Sequence, residues 1–196
     1  MTSRPQPIEN VPPDLQPIME MARASMGFVP NSFLTMARRP ALLQALMPMM
    51  GYLVGPGLSI GADLRQMVAY MASYGAGCSY CQAHTSHGAE KNGVAAGKIE
   101  NLWRYEESDL FTAAEKAALG FAFASGQVPN AVTESHYAAL RDHYSEDQIL
   151  DLAAVVSIFG FLNRWNDTVG TPLEQKPTDF AGSSLTDSGW EPGKHG

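Results

Sequence analysis

Apolar positions recur at helical spacing through most of this chain. Leu15, Ile18, Met19 and Ala22 share one face of a helix that opens near Pro13, where the fixed φ of proline suits a first turn. Residues 27–30 break it, and Asn31 is placed to cap a short helix through Met36. From Pro40, Leu42, Leu43, Leu46, Met47, Met50 and Leu53 spread over a broad arc, so a helix over 40–53 needs cover on more than one side. Its methionines, with Met49, read as core or subunit interface. A Gly55-Pro56-Gly57 turn ends it and leads to a helix over 62–74.

The next helix spans 79–91 and stops at Asn92-Gly93. A short helix over 95–103 and a charged turn through Asp109 follow. Thr112 and Glu115 form a capping-box pattern that opens a helix over 113–125, and the cap accounts for Glu115 without a chemical role. Gly126 and Pro129 separate it from a helix over 133–143. A second capping box, Ser145 with Gln148, opens a long helix to about Asp167. Its near-continuous apolar run over 149–162 marks it as the expected central helix. Asn163, Arg164, Asn166 and Asp167 then read as its solvated end. No segment alternates as a half-buried strand does, so the fold class is all-α. The expected organisation is an N-terminal arm over 1–12, one helical domain over 13–169 and an irregular tail over 170–196, in which Trp190 wants a docking site.

Composition narrows the function. At 196 residues and 45% hydrophobic content the chain can bury one good core. A formal charge of −7 without a basic run argues against nucleic acid as a partner. The apolar stretch over 149–162 includes Asp151 and is shorter than the roughly 20 residues a membrane span needs, so no membrane partner is expected. No apolar export segment opens the sequence, so the expected compartment is the cytoplasm, which keeps thiols reduced at rest. No phosphate loop or dinucleotide fingerprint appears, and no cofactor is expected.

Candidate chemistry concentrates in residues 75–87, which hold both cysteines and two of the five histidines. Cys78 and Cys81 form a C-x-x-C pair at a helix start, where free N–H groups and the helix dipole favour a thiolate. Three readings are open: a redox-active dithiol, a zinc site using Cys78, Cys81, His84 and His87, or inert buried cysteines. Over nine helical residues the side-chain direction turns roughly half a circle, which weighs against all four meeting one metal. No second ligand pair stands elsewhere in the sequence.

Gly-Cys-Ser-Tyr-Cys-Gln-Ala-His-Thr over 77–85 resembles the signature of the alkylhydroperoxidase D-like (AhpD-like) branch of the carboxymuconolactone decarboxylase family. The helix before it and Phe-Leu-Asn-Arg-Trp-Asn-Asp-Thr over 161–168 are similar to the longer peroxidase-related members, which implies as an alternative that some of Asn163, Arg164, Asn166 and Asp167 face the thiol site or a subunit contact. The resemblance implies an all-helical AhpD-like bundle and a thiol-dependent peroxidase or disulfide reductase. Cys81 would attack the peroxide and Cys78 would resolve the sulfenic acid as a disulfide. It further implies a peroxide substrate, a dithiol electron-donor protein and a homo-oligomer, trimeric or hexameric. Where the family's proton relay has glutamate and histidine, this chain has Gln66 and Thr85, and His84 stands one residue early. Gln66 can hydrogen-bond but cannot take a proton at neutral pH, so proton transfer would run through His84 and water or through another residue, with Gln66 a hydrogen-bonding site residue. Two alternatives stand beside the peroxidase: a lactone-decarboxylase type lyase, whose branch lacks the cysteine pair, and a non-catalytic helical oligomer.

Overall fold

The computed structural model describes residues 3–55 and 57–196, with the side chain of Val54 excepted. Pro56 of the expected turn, and Met1 and Thr2 of the arm, lie outside the described residues. The described residues form ten α-helices in order: α1 Gln16–Met26, α2 Asn31–Met36, α3 Pro40–Val54, α4 Ala62–Gly75, α5 Ser79–Lys91, α6 Ala96–Glu100, α7 Ala113–Gly126, α8 Glu134–Arg141, α9 Glu146–Val169 and α10 Gln175–Ser184. Among the described residues there is no strand. Both capping boxes form, at Thr112 with Glu115 and at Ser145 with Gln148. Glu115 also pairs with Lys98 at 2.5 Å.

The centre of the bundle is α4, not the longer α9. Helix α4 packs against α5, α7 and α9 together, and residues Met67 to Ser73 are buried in an unbroken run. Burial all round its circumference follows from being covered on three sides, and each large apolar side chain hidden there contributes about 1.5–3 kcal/mol. Helix α9 keeps Ile149, Leu152, Val155 and Ile158 in the core but leaves Leu150 and Phe161 exposed. Its apolar run therefore serves two surfaces, only one of which is interior. Helix α3 divides in the same way, with Leu43 and Leu46 buried and Met49 and Tyr52 exposed.

Two glycines set how closely α4 and α7 approach. A Cβ on Gly126 would stand 2.2 Å from the Ala72 carbonyl oxygen, and one on Gly75 would stand 2.4 Å from that of Phe123. The two backbones touch directly at the end of α4 that feeds the cysteines.

The segment over 170–196 is not the irregular tail its composition predicts. It forms α10, which packs on α5 and α6, and two short 3-10 turns, Thr186–Ser188 and Gly193–His195. Helix α10 buries Pro177 and Ala181, with Leu185 at its C-cap also buried. Its helix-poor sequence is stabilised by that apolar contact rather than by local propensity. Among the described residues, no helix is long and apolar enough to cross a membrane.

Candidate dithiol site

The position of Cys78 follows from two helix ends that share it. Helix α4 closes with the bonding pattern of a Schellman motif: Gly77 N–H donates to Tyr74 O at 3.1 Å and Cys78 N–H to Ser73 O at 3.1 Å. Gly77 takes φ +69°, which favours glycine, and so turns the chain. Cys78 then serves as N-cap of α5, and its carbonyl accepts the first helical bond from Gln82 at 3.0 Å. One turn on, Cys81 lies on the same side of α5.

The two thiols are free and buried, Cys78 fully and Cys81 with 3% exposed. A hydrogen bond from the Cys81 thiol pulls Cys78 below the ordinary thiol value, against the upward push of burial. Backbone N–H groups of Cys81 and Tyr80 add to that downward pull. Burial pushes Cys81 well up, and the neighbouring Cys78 pushes it further. These directions favour the thiolate at Cys78 over Cys81, whereas the family resemblance implies attack by Cys81. The cause is local: Cys78 sits at the open end of the helix, where N–H groups have no helical acceptor, while Cys81 lies inside the first turn.

His84 is held by a residue that sequence reasoning missed. Its Nε2 lies 2.6 Å from Oε2 of Glu174, the N-cap residue of α10. The other carboxylate oxygen of Glu174 accepts from the Tyr80 hydroxyl at 2.9 Å and from the backbone N–H of Asn31. Burial pushes Glu174 up, but the bonds from His84 and Asn31 outweigh it and hold the carboxyl below its usual range. An ionised Glu174 accepts from Nε2–H, which leaves Nδ1 as the exchangeable nitrogen of His84. The His84 ring stacks on Tyr80 at 4.3 Å between centroids, with Phe28 edge-on at 5.5 Å.

Asn31 does not cap α2 with its own side chain; Pro30 is the N-cap. The Asn31 amide donates instead to Pro172 O at 2.9 Å, tying the C-terminal segment to α2. The polar end of α9 faces the site in part. Asn166 Nδ2 lies 3.5 Å from Cys81 Sγ, and Asn163 and Asn166 are both buried, while Arg164 is exposed. Trp190 docks on the start of α5, its indole N–H donating to Ser79 O at 3.1 Å.

Gln66 meets α5 one turn beyond His84. Its amide lies against Gly88 of α5, where an added Cβ would stand 2.7 Å from Oε1. Gly88 is seven residues beyond Cys81, about 10 Å along the helix. Thr85 closes the other relay position: its hydroxyl donates to Cys81 O at 2.7 Å. His87 stacks on Phe28 and meets Phe180 of α10, and burial pushes its ring below the ordinary histidine value. Among the described residues, no three His, Cys, Asp or Glu side chains are grouped to hold a metal.

The sequence profile of the carboxymuconolactone decarboxylase family matches residues 40–124. The uncharacterized protein YdfG of Bacillus subtilis (strain 168) is 32% identical over 120 residues, covering 60% of this chain and 81% of that protein. The structure of the debrominase Bmp8, solved as a cysteine-to-alanine variant in complex with 2,3,4-tribromopyrrole, is 32% identical with a TM-score of 0.86. That match covers 93% of this chain and 97% of the debrominase. An uncharacterized peroxidase-related protein from Ralstonia eutropha JMP134, described as an alkylhydroperoxidase AhpD core, has a TM-score of 0.78 at 24% identity. It covers 92% of this chain and 96% of its own.

Proposed function

This chain belongs to the carboxymuconolactone decarboxylase family, in its AhpD-like branch, and from that premise we propose that it is a thiol-dependent oxidoreductase that reduces a small oxidised substrate through Cys78 and Cys81. One observation carries the reading. Cys78 and Cys81 share the first turn of α5 with both thiols buried, Cys78 lowered and Cys81 raised from the ordinary thiol value, beside a histidine held at 2.6 Å by the partly buried carboxylate of Glu174.

With a hydroperoxide the electrons balance as follows. The Cys78 thiolate attacks the O–O bond, an alkoxide leaves and Cys78 becomes a sulfenic acid. The alkoxide takes a proton through His84, which draws it from solvent. Cys81 then forms the S–S bond, and its proton leaves with the hydroxyl as water. A partner dithiol protein restores both thiols by exchange. Exposed Met49, Tyr52, Leu150 and Phe161 support self-association of the chain, and the resting dithiol suits a reducing cytoplasm.

The debrominase likeness supports a second substrate, a halogenated aromatic ring. The same dithiol would supply two electrons, giving the disulfide, the ring with hydrogen in place of halogen, and halide with a proton. The aromatic wall of Phe28, Tyr80 and His84 suits a flat ring. One experiment tests both readings: turnover of hydrogen peroxide, cumene hydroperoxide and 2,3,4-tribromopyrrole with dithiothreitol, in the wild type beside Cys78→Ser and Cys81→Ser. Turnover lost in both variants supports the dithiol reading, and the better substrate identifies the reaction. Absence of turnover in the wild type with all three returns the chain to the non-catalytic or lyase alternatives.

A further inference from the structure

A second buried histidine, His195, reaches the same site from the last 3-10 turn, and the dithiol reading above gives it no role. It is 2% exposed, and its ring lies 5.8 Å from that of Tyr80, so Tyr80 stands between His84 and His195. Its Nδ1 lies 2.8 Å from Thr171 O; a carbonyl only accepts, so Nδ1 carries the hydrogen and Nε2 presents a bare lone pair. Among the described residues Nε2 is buried with no hydrogen-bond partner. The Thr171 hydroxyl and Asn166 Oδ1 are likewise buried without one. Thr171 N–H donates to Asn166 O at 3.1 Å, and Asn166 Nδ2 contacts Cys81 Sγ, so the three residues form a polar wall running to the thiols.

Asp167 adjoins that wall, next to Asn166 on α9. Its Oδ1 lies 3.8 Å from His195 Nε2 and 2.9 Å from Lys194 Nζ. Its negative charge acts on Cys78 and Cys81 alike. The charged groups facing His195 are Asp167 from α9, Lys194 from its own turn and Arg4 from the N-terminal arm.

We propose that His195 and Asp167 form a charge-setting pair for the dithiol, in which a proton gained at His195 Nε2 is held against the Asp167 carboxylate and offsets the negative charge beside the thiols. This rests on the dithiol reading and adds to it a positioning role for the C-terminal segment. Neutral His195 leaves the charge of Asp167 opposing a thiolate. Protonated His195 removes that opposition, so ionisation of Cys78 and protonation of His195 favour each other.

The test measures iodoacetamide alkylation of full-length Cys81→Ser protein from pH 5 to 9, where Cys78 is the single thiol. Adding Asp167→Asn lowers the midpoint. Adding His195→Asn, which keeps a donor for Thr171 O but has no titratable ring, raises it. Lys194→Met, on a half-exposed side chain, also raises it by unmasking Asp167. Burial lowers His195 from its ordinary value, so the effect is read at the acid end of the range, where the first variant reacts at least about threefold faster and the other two at least about threefold slower, with a common plateau at high pH. Unmoved midpoints, a shift in Asp167→Asn alone, or changes confined to the plateau rate overturn the pair; the last outcome means a structural role. Wild type that forms no disulfide under peroxide defeats the dithiol reading separately, because these midpoints do not depend on turnover.

Discussion

Glu174 and His84, ninety residues apart, meet at 2.6 Å and join the C-terminal helix to the helix that carries the cysteines. The contact has a structural and a chemical side. Glu174 satisfies the first N–H of α2 and the Tyr80 hydroxyl while fixing which ring nitrogen of His84 exchanges protons. Glu174→Gln keeps the size and loses the charge. It is expected to destabilise the protein by about 1.5–3 kcal/mol at pH 7, the range for hydrogen bonds to charged groups. Because the folded-state value of Glu174 lies below the ordinary one, its contribution is present above the unfolded carboxylate range and is lost as pH falls through the folded value. Urea melts at pH 7 and pH 3 check this: the gap between wild type and variant should close in acid, and an unchanged gap would mean the pair is not held by charge.

The relay residues separate by substitution. His84→Ala should slow peroxide oxidation of the dithiol by about 10²-fold, the lower range for proton-transfer help. Gln66→Glu should leave the rate within about twofold, because the new carboxyl sits against Gly88, about 10 Å along α5 from Cys81. Stopped-flow tryptophan fluorescence reads both, and acceleration by the glutamate would place position 66 in the proton path after all.

A short iodoacetamide pulse at pH 7 should label Cys78 before Cys81, since the thiolate resides on the N-cap sulfur. Mild peroxide should then protect both from alkylation, with the intact mass lower by two hydrogens. Preferential labelling of Cys81 in peptide maps would return the attacking role to that residue.

Backbone contact between α4 and α7 makes Gly126 intolerant of any side chain. Gly126→Ala forces the helices apart and should cost about 1–3 kcal/mol, lowering Tm by several degrees. Gly160→Ala on α9, where an added Cβ meets nothing within 4 Å, should be neutral or stabilising by up to about 1 kcal/mol. Calorimetry of the two variants side by side tests the difference; equal Tm values would deny the close approach.

Self-association is expected from the apolar side chains left in solvent on α1, α3 and α9, namely Met21, Met49, Tyr52, Leu150 and Phe161. Light scattering at micromolar concentration should give a multiple of 21.1 kDa, and Tyr52→Glu with Leu150→Glu should reduce it. A wild-type monomer would refute this.

What the sequence determined by itself is local. The extent of α5, its stop at Asn92-Gly93 and both capping boxes depend on groups a few residues apart, as does the placement of Cys78 at a helix start. The bonds that define them close within one or two turns. The all-helical class follows from periodicity in the same way. Tertiary structure decided the rest. Apolar runs alone could not tell α4, covered on three sides, from α9, which leaves Leu150 in solvent, because both are rich in apolar residues. Helix α10 has weak propensity and forms by burying Ala181 and Leu185 against the bundle, so composition read it as irregular. Glu174 and His195 looked like ordinary tail residues, since polar side chains acquire their roles only when distant backbone brings them within hydrogen-bond reach and removes competing water. That removal makes a buried partner worth far more than an exposed one, and no spacing along the chain encodes it.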